Sequence, residues 1–222
     1  MLRNHGIFDY KIEIGAHSYP TDGLIERWDF NDTLTGLNGN TWSMDTVNWS
    51  YGTDGSLGKY IYTTGDGTVR GTIDHSMFDN RSSDMSFSWW GYAYNAGSVF
   101  IGKGGAGVLF AAVAPNAGYA SKNYWNYIGS QIAVATAQNT WFHLVCTFKT
   151  SDKSMNFYIN NGSPVTLTAS NQSTDTNSWY IFKSSEGALA SSTNSRLTKM
   201  YLYNRVLTSS EVNTLYNNGI GL

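Results

Sequence analysis

A chain of 222 residues has room for one large all-β domain or two small ones and needs neither metal nor disulfide to build a core. Fourteen basic against sixteen acidic residues, a net charge of −2, exclude the basic footprint of a nucleic-acid binder. No apolar run approaches the length of a membrane span, and the lone Cys146 excludes an internal disulfide and reads as a small buried hydrophobe. Ser, Thr, Asn and Gly supply 91 residues, the hydroxyl- and amide-rich covering usual outside cells. No apolar leader follows Met1-Leu2-Arg3, so a part carried outside on a larger particle, or a piece of a longer chain, is expected.

In chain order, residues 1–23 come first and differ from the rest. Ile7, Phe8, Tyr10, Ile12 and Ile14 recur in partial alternation ahead of the Pro20-Thr21-Asp22-Gly23 turn. They read either as an extra edge strand or as an arm that docks on a neighbouring protein, leaving residues 24–222 as the main domain. From Leu24 the period becomes two, with strands at Leu24–Phe30 and through Met85, Phe87 and Trp89. Tyr124–Ile128 follows. Trp141–Lys149 is the clearest strand, with Phe142, Leu144, Cys146 and Phe148 on one face. Met155, Phe157 and Ile159 lead to an Asn161-Gly162 reversal into Val165 and Leu167. Trp179–Phe182 and Arg196–Tyr203 complete the strands. Thr208-Ser209-Ser210-Glu211 is a capping box that opens a two-turn helix over Ser209–Asn217, with a Leu207–Val212 staple and a stop at Gly219. The expected fold is all-β, a two-sheet antiparallel sandwich of about 11 to 14 strands closed by one short C-terminal helix.

Residues that carry chemistry are few. The glutamates are Glu13, Glu26, Glu186 and Glu211, and no two acidic residues stand at i,i+2, where one strand would project a catalytic pair from one face. His5, His17, His75 and His143 are scattered without a zinc spacing. Gly102-Lys103-Gly104-Gly105-Ala106-Gly107 lacks the Lys-Ser/Thr ending of a phosphate loop and reads as a hairpin turn. An aromatic platform flanked by amides is offered by Tyr119, Asn123, Tyr124, Trp125, Asn126 and Tyr127, residue types suited to stacking and hydrogen-bonding a sugar. Trp42, Trp49, Tyr51, Tyr60 and Tyr62 form a second aromatic-rich stretch, expected as core or subunit contact.

Three stretches carry a resemblance. The Leu24–Asn31 stretch with Trp28-Asp29-Phe30, the Trp141-Phe142-His143-Leu144 through Tyr158-Ile159-Asn160-Asn161-Gly162 hairpin, and Leu197–Gly219 resemble, in that order, laminin-G-like domains of the concanavalin A-like lectin/glucanase superfamily. The resemblance implies a jelly-roll sandwich and, from the family's habit, a calcium ion at the sheet rim. Its counterparts here are Asp29, Asn31, Asp32 and Asn38, oxygen donors of the right hardness. Thr198-Lys199 departs from the acid the family often places before the last strand. The fold hosts lectins, hydrolases and inert spacers alike.

Two functions follow as expectations. One is a non-enzymatic structural module on a virion surface (a bacteriophage decoration, fibre or tail protein) docked through Ile7, Phe8, Tyr10, Ile12 and Ile14 on other structural proteins or a second copy of itself. The alternative is a carbohydrate-binding or adhesion module at a cell surface or in the extracellular space. A glycoside hydrolase is disfavoured by the missing carboxylate pair.

Overall fold

The structure, a computed structural model, describes residues 19–217 apart from 46, 66–68, 75–82, 95–99, 104–107, 110–122, 128–129, 135–138, 169–177 and 184–193. The strands are β1 (Leu24–Trp28), β2 (Ser43–Met44), β3 (Trp49–Asp54), β4 (Gly58–Thr63), β5 (Gly71–Ile73), β6 (Met85–Tyr92), β7 (Ile101–Lys103) and β8 (Val108–Leu109). They continue as β9 (Asn123–Tyr127), β10 (Ser130–Val134), β11 (Trp141–Lys149), β12 (Ser154–Ile159), β13 (Val165–Thr168), β14 (Trp179–Ile181) and β15 (Arg196–Tyr203), followed by helix α1 (Ser209–Tyr216).

One layer is an eight-stranded antiparallel sheet ordered β13-β12-β11-β6-β15-β4-β3, with β1 also paired to β15. Opposite it runs β2-β5-β14-β7, and β7 lies beside the small β8-β9-β10 sheet. Between the layers sits the main core. Phe87, Trp89, Leu144, Phe148, Phe157 and Leu202 face Trp42, Ile101, Trp179 and Ile181 across it, and Cys146 is buried among them as expected. Strict alternation on β6 and β11 puts these residues on one face.

The other face of the central strands is the part that alternation does not foretell. Ser86, Ser88, His143 and Thr147 look like a solvent face, yet all four are buried. Helix α1 lies over them, bringing Leu207, Val212 and Leu215 against Val145, Tyr158, Tyr201 and Tyr203 in a second core. Polar groups under it are tied locally. Ser86 Oγ donates to Arg205 O (2.7 Å) and accepts from Leu207 N (2.9 Å), fastening the β15–α1 connection to the central strand.

The helix begins as its sequence requires. Glu211 N donates to Thr208 Oγ1, and Thr208 N donates back to Glu211 Oε2, completing the capping box. It ends earlier than Gly219, with Asn217 in the left-handed cap position (φ 44°). The β12–β13 reversal is likewise displaced by one residue. Asn160 and Asn161 hold the two left-handed positions, and Gly162 N closes the turn on Ile159 O at 2.8 Å.

Residues 19–23 belong to the packed body rather than to an arm ending at 23. Tyr19 lies against Tyr201 and under the Arg27 guanidinium (4.4 Å), Asp22 pairs with Arg205, and Asn204 N donates to Gly23 O.

Candidate functional site

Helix α1 covers only part of the outer face of the eight-stranded sheet. Beyond it, among the described residues, lies an aromatic cross-strand row. Register pairs Tyr62 of β4 with Arg196 of β15, Arg196 with Tyr92 of β6, and Tyr92 with Trp141 of β11. Side chains at paired positions share a face, so four neighbouring strands line up Tyr62, Arg196, Tyr92 and Trp141 side by side. All four are half-buried, and Tyr94, two residues past Tyr92, is exposed. The next row, Tyr60, Thr198, Trp90 and His143, runs toward the helix, where Tyr216 stacks on Trp90 at 5.6 Å.

The rings interlock edge to face. Trp141 meets both Tyr60 and Tyr92 at 5.6 Å between centroids, and Tyr60 meets Tyr62 at 5.8 Å. Arg196 stacks on Tyr92 (4.2 Å) and Tyr60 (5.1 Å), with Nε donating to Asn194 Oδ1. Gly52 on β3 makes this possible, since a Cβ there would run into the Tyr60 ring. Trp141 Nε1 donates to Asp54 Oδ2 at 3.0 Å, reaching from β11 to β3. Burial pushes the Asp54 carboxyl pKa upward, but the Leu57 and Ser56 amides, the Trp141 indole and the Arg196 charge outweigh it and hold the pKa below the usual value. Flat aromatic surfaces, a guanidinium and a fixed carboxylate are what stacking and hydrogen-bonding a polyol require.

The sequence-predicted sites fare differently. Asn123, Tyr124, Trp125, Asn126 and Tyr127 do form a strand, β9, paired with β10 in register from Asn123↔Val134 to Tyr127↔Ser130. The placement of their side chains, and Tyr119 altogether, lies outside the described residues, as do Ile7, Phe8, Tyr10, Ile12 and Ile14. In the second aromatic stretch the expectation of core holds for one parity only. Trp42 is buried and Trp49 and Tyr51 pack on the core, whereas Tyr60 and Tyr62 point the other way, into the open row. Tyr92, Trp141 and Arg196 were not singled out by sequence, although the strands that carry them were.

The residues proposed for calcium do not fit the ion. Asp29 is gripped by Arg27 (2.6 Å) and by Lys199 (3.5 Å), which a bulge in β15 with positive φ brings over it. Asp32 pairs with Lys59, and Asn38 spends its Nδ2 on Ile25 O and its backbone N–H on Glu26. Asn31 lines an open cleft of about 200 Å³ with Arg27, Asp29, Thr33 and Leu37. The cations already present supply the charge that calcium would bring.

Candidate acids and bases are committed to structure. Buried Glu26 accepts from the backbone N–H of Arg27, Asn38 and Asn40 and from Asn40 Nδ2, stitching the 36–40 loop to β1. Gly36 is required there, because a Cβ would meet the carboxylate at 2.6 Å. Glu211 is held by Arg205, which draws its pKa down to about 2. His143 Nε2 and Ser88 Oγ share a 2.8 Å hydrogen bond, but both are sealed beneath the helix, and Nδ1 meets no carboxylate among the described residues. That pair cannot act on a substrate.

Among solved structures, domain 4 of AbnA, a GH43 extracellular arabinanase from Geobacillus stearothermophilus in complex with arabinotriose, superposes with a TM-score of 0.68 at 14% identity. That match covers 90% of this chain and 98% of that one. The binding domain of Paraclostridial Mosquitocidal Protein 1 superposes at 0.69 with 16% identity, covering 88% of this chain and 52% of that one. The binding domain of Botulinum Neurotoxin DC in complex with SialylT gives 0.63 at 13%, over 88% and 51%. The chain thus spans about half the length of the toxin binding domains. No curated protein sequence matches it. Residues 63–213, more than half of the chain, match the laminin G type 3 family described as Concanavalin A-like lectin/glucanases superfamily. Jelly-roll layers, register and terminal helix agree with that match, and the chain belongs to the concanavalin A-like lectin/glucanase superfamily.

Proposed function

We propose that the chain is a non-enzymatic carbohydrate-binding module that takes its ligand on the open row of the eight-stranded sheet. The observation that carries this reading is the interlocked Tyr60, Tyr92 and Trp141 rings, half-buried and backed by Arg196, on a sheet face that the helix leaves uncovered. Solved domains of similar fold, one in complex with arabinotriose and one in complex with SialylT, support the same reading. An extracellular or surface setting goes with it. The virion-module expectation rests on residues 1–18, outside the described structure, and on surface composition. A glycan-binding face is compatible with such a mounting.

The test is a glycan array followed by titration calorimetry with the best ligand. Tyr92→Ala and Trp141→Ala should each lower affinity about tenfold or more while far-UV dichroism stays unchanged. Trp125→Ala on β9 serves as the contrast. Loss of binding in that variant alone moves the site to the β9 platform, and an array with no bound glycan overturns the function.

A further inference from the structure

Three of the four arginines among the described residues are paired with acids. Arg27 binds Asp29 at 2.6 Å, Arg70 binds Asp45 at 2.7 Å, and Arg205 binds Glu211 at 2.6 Å. Arg196 departs from this pattern. Its Nε is anchored on Asn194 Oδ1 and its plane is held against Tyr92 and Tyr60, yet Nη1 and Nη2 donate to nothing among the described residues. Asp54 is near enough to feel its charge but is not paired with it. Both carboxylate oxygens are taken, Oδ1 by the Ser56 and Leu57 amides and Oδ2 by the Trp141 indole.

A guanidinium held in place by ring stacking, with two parallel N–H groups left open at the centre of an aromatic row, is a fork for a planar anion. Here it lies between Tyr62 and Tyr92 in cross-strand register, so an anion seated on it is flanked by aromatic surface on both sides. We infer that the ligand is a carboxylated sugar, a sialic or a uronic acid, whose carboxylate binds Arg196 Nη1 and Nη2 while its ring stacks on the neighbouring Tyr92–Trp141 surface. This inference rests on the carbohydrate-binding reading and names the substrate class of that same site.

Matched pairs test it by calorimetry on the intact chain: 3′-sialyllactose against lactose, and trigalacturonate against its methyl ester. In at least one pair the acid should bind about tenfold or more tightly than its neutral partner, and the pair that responds identifies the source. Arg196→Gln should abolish that preference. Arg196→Lys, which keeps the charge and loses the fork, should retain only part of it, and thermal melting confirms that both variants fold. If acid and neutral members bind alike, or Arg196→Lys keeps the full preference, the carboxylate inference falls and carbohydrate binding stands. If the intact chain binds none of these and no glycan on a general array, both fall.

Discussion

Trp141 and Asp54 are joined by a 3.0 Å hydrogen bond although their strands, β11 and β3, are separated by β6, β15 and β4. Four spacings in a flat sheet amount to about 19 Å, beyond the combined reach of the two side chains. The sheet must therefore curl toward its outer face, and the aromatic row lies in the trough. The bond fixes the indole across that trough. Asp54→Ala should cost about 1–2 kcal/mol in chemical denaturation, since the turn amides of Ser56 and Leu57 also lose their acceptor. It should weaken glycan binding more than Trp141→Phe destabilises the fold. Unchanged binding in Asp54→Ala would show that the ring needs no anchor.

His143 makes stability depend on pH. Burial beneath α1, among Ser88, Trp90 and Tyr216, lowers its pKa from 6.5 to about 3. Between those values the unfolded chain takes up a proton that the folded chain refuses. Stability is full above pH 6.5 and falls toward pH 3, by about 1.4 kcal/mol per pH unit at the steepest. Urea midpoints measured from pH 7 to 4.5 should decline, and His143→Gln should flatten the decline. Glu211, drawn down by Arg205, acts only below about pH 4.5, beneath the measured range. A midpoint flat from pH 7 to 4.5 would rule out the buried neutral imidazole.

Removing the Glu26 carboxylate orphans the amides it collects. Glu26→Ala should cost about 3 kcal/mol or more. Gln is no rescue, because its amide sets a donor against Asn40 N and Nδ2, which are themselves donors to Glu26 Oε2. Thermal melting that finds Glu26→Gln near wild type would show the loop to be held by other contacts.

Calcium should leave the melting temperature where it is, with or without chelator, because Arg27 and Lys199 already neutralise Asp29. Lys199→Ala should lower stability by about 1 kcal/mol, as expected for a partly buried ion pair. A rise in melting temperature with added calcium would mean that the ion displaces Lys199.

Truncation should distinguish the leading segment from the sandwich. Cutting before Tyr19 should preserve the melting transition, whereas cutting through Gly23 should cost about 1–3 kcal/mol more. The longer cut removes Tyr19 from Arg27 and Tyr201, and Asp22 from Arg205. Equal melting of the two truncations would make those contacts dispensable.

Strands and helix were legible because their signals are local. Trp141–Lys149 and Arg196–Tyr203 have the predicted bounds, and the Thr208–Glu211 box forms as spelled. What escaped depends on strand order. Nothing in the sequence says that β15 comes between β4 and β6, so nothing says that Tyr62, Arg196, Tyr92 and Trp141 share a row. That the polar face carrying Ser86 and His143 is buried is illegible for the same reason, since their cover is a helix more than sixty residues further along the chain. Local density of aromatics drew attention to Trp42, Trp49 and Tyr51, where period two sends the rings inward. At Asp29 the sequence already set Lys199 against calcium, but only the bulge in β15 shows that the lysine, 170 positions on, reaches the carboxylate itself.

The edge-to-face packing of Tyr60, Tyr92 and Trp141, which Gly52 allows by lacking a side chain, has a consequence in time. Rings already wedged against one another lose little rotational freedom when a ligand settles on them. Encounter should then proceed without a rearrangement step, at rates set by diffusion and orientation. Differences between one ligand and the next should appear in how long each stays.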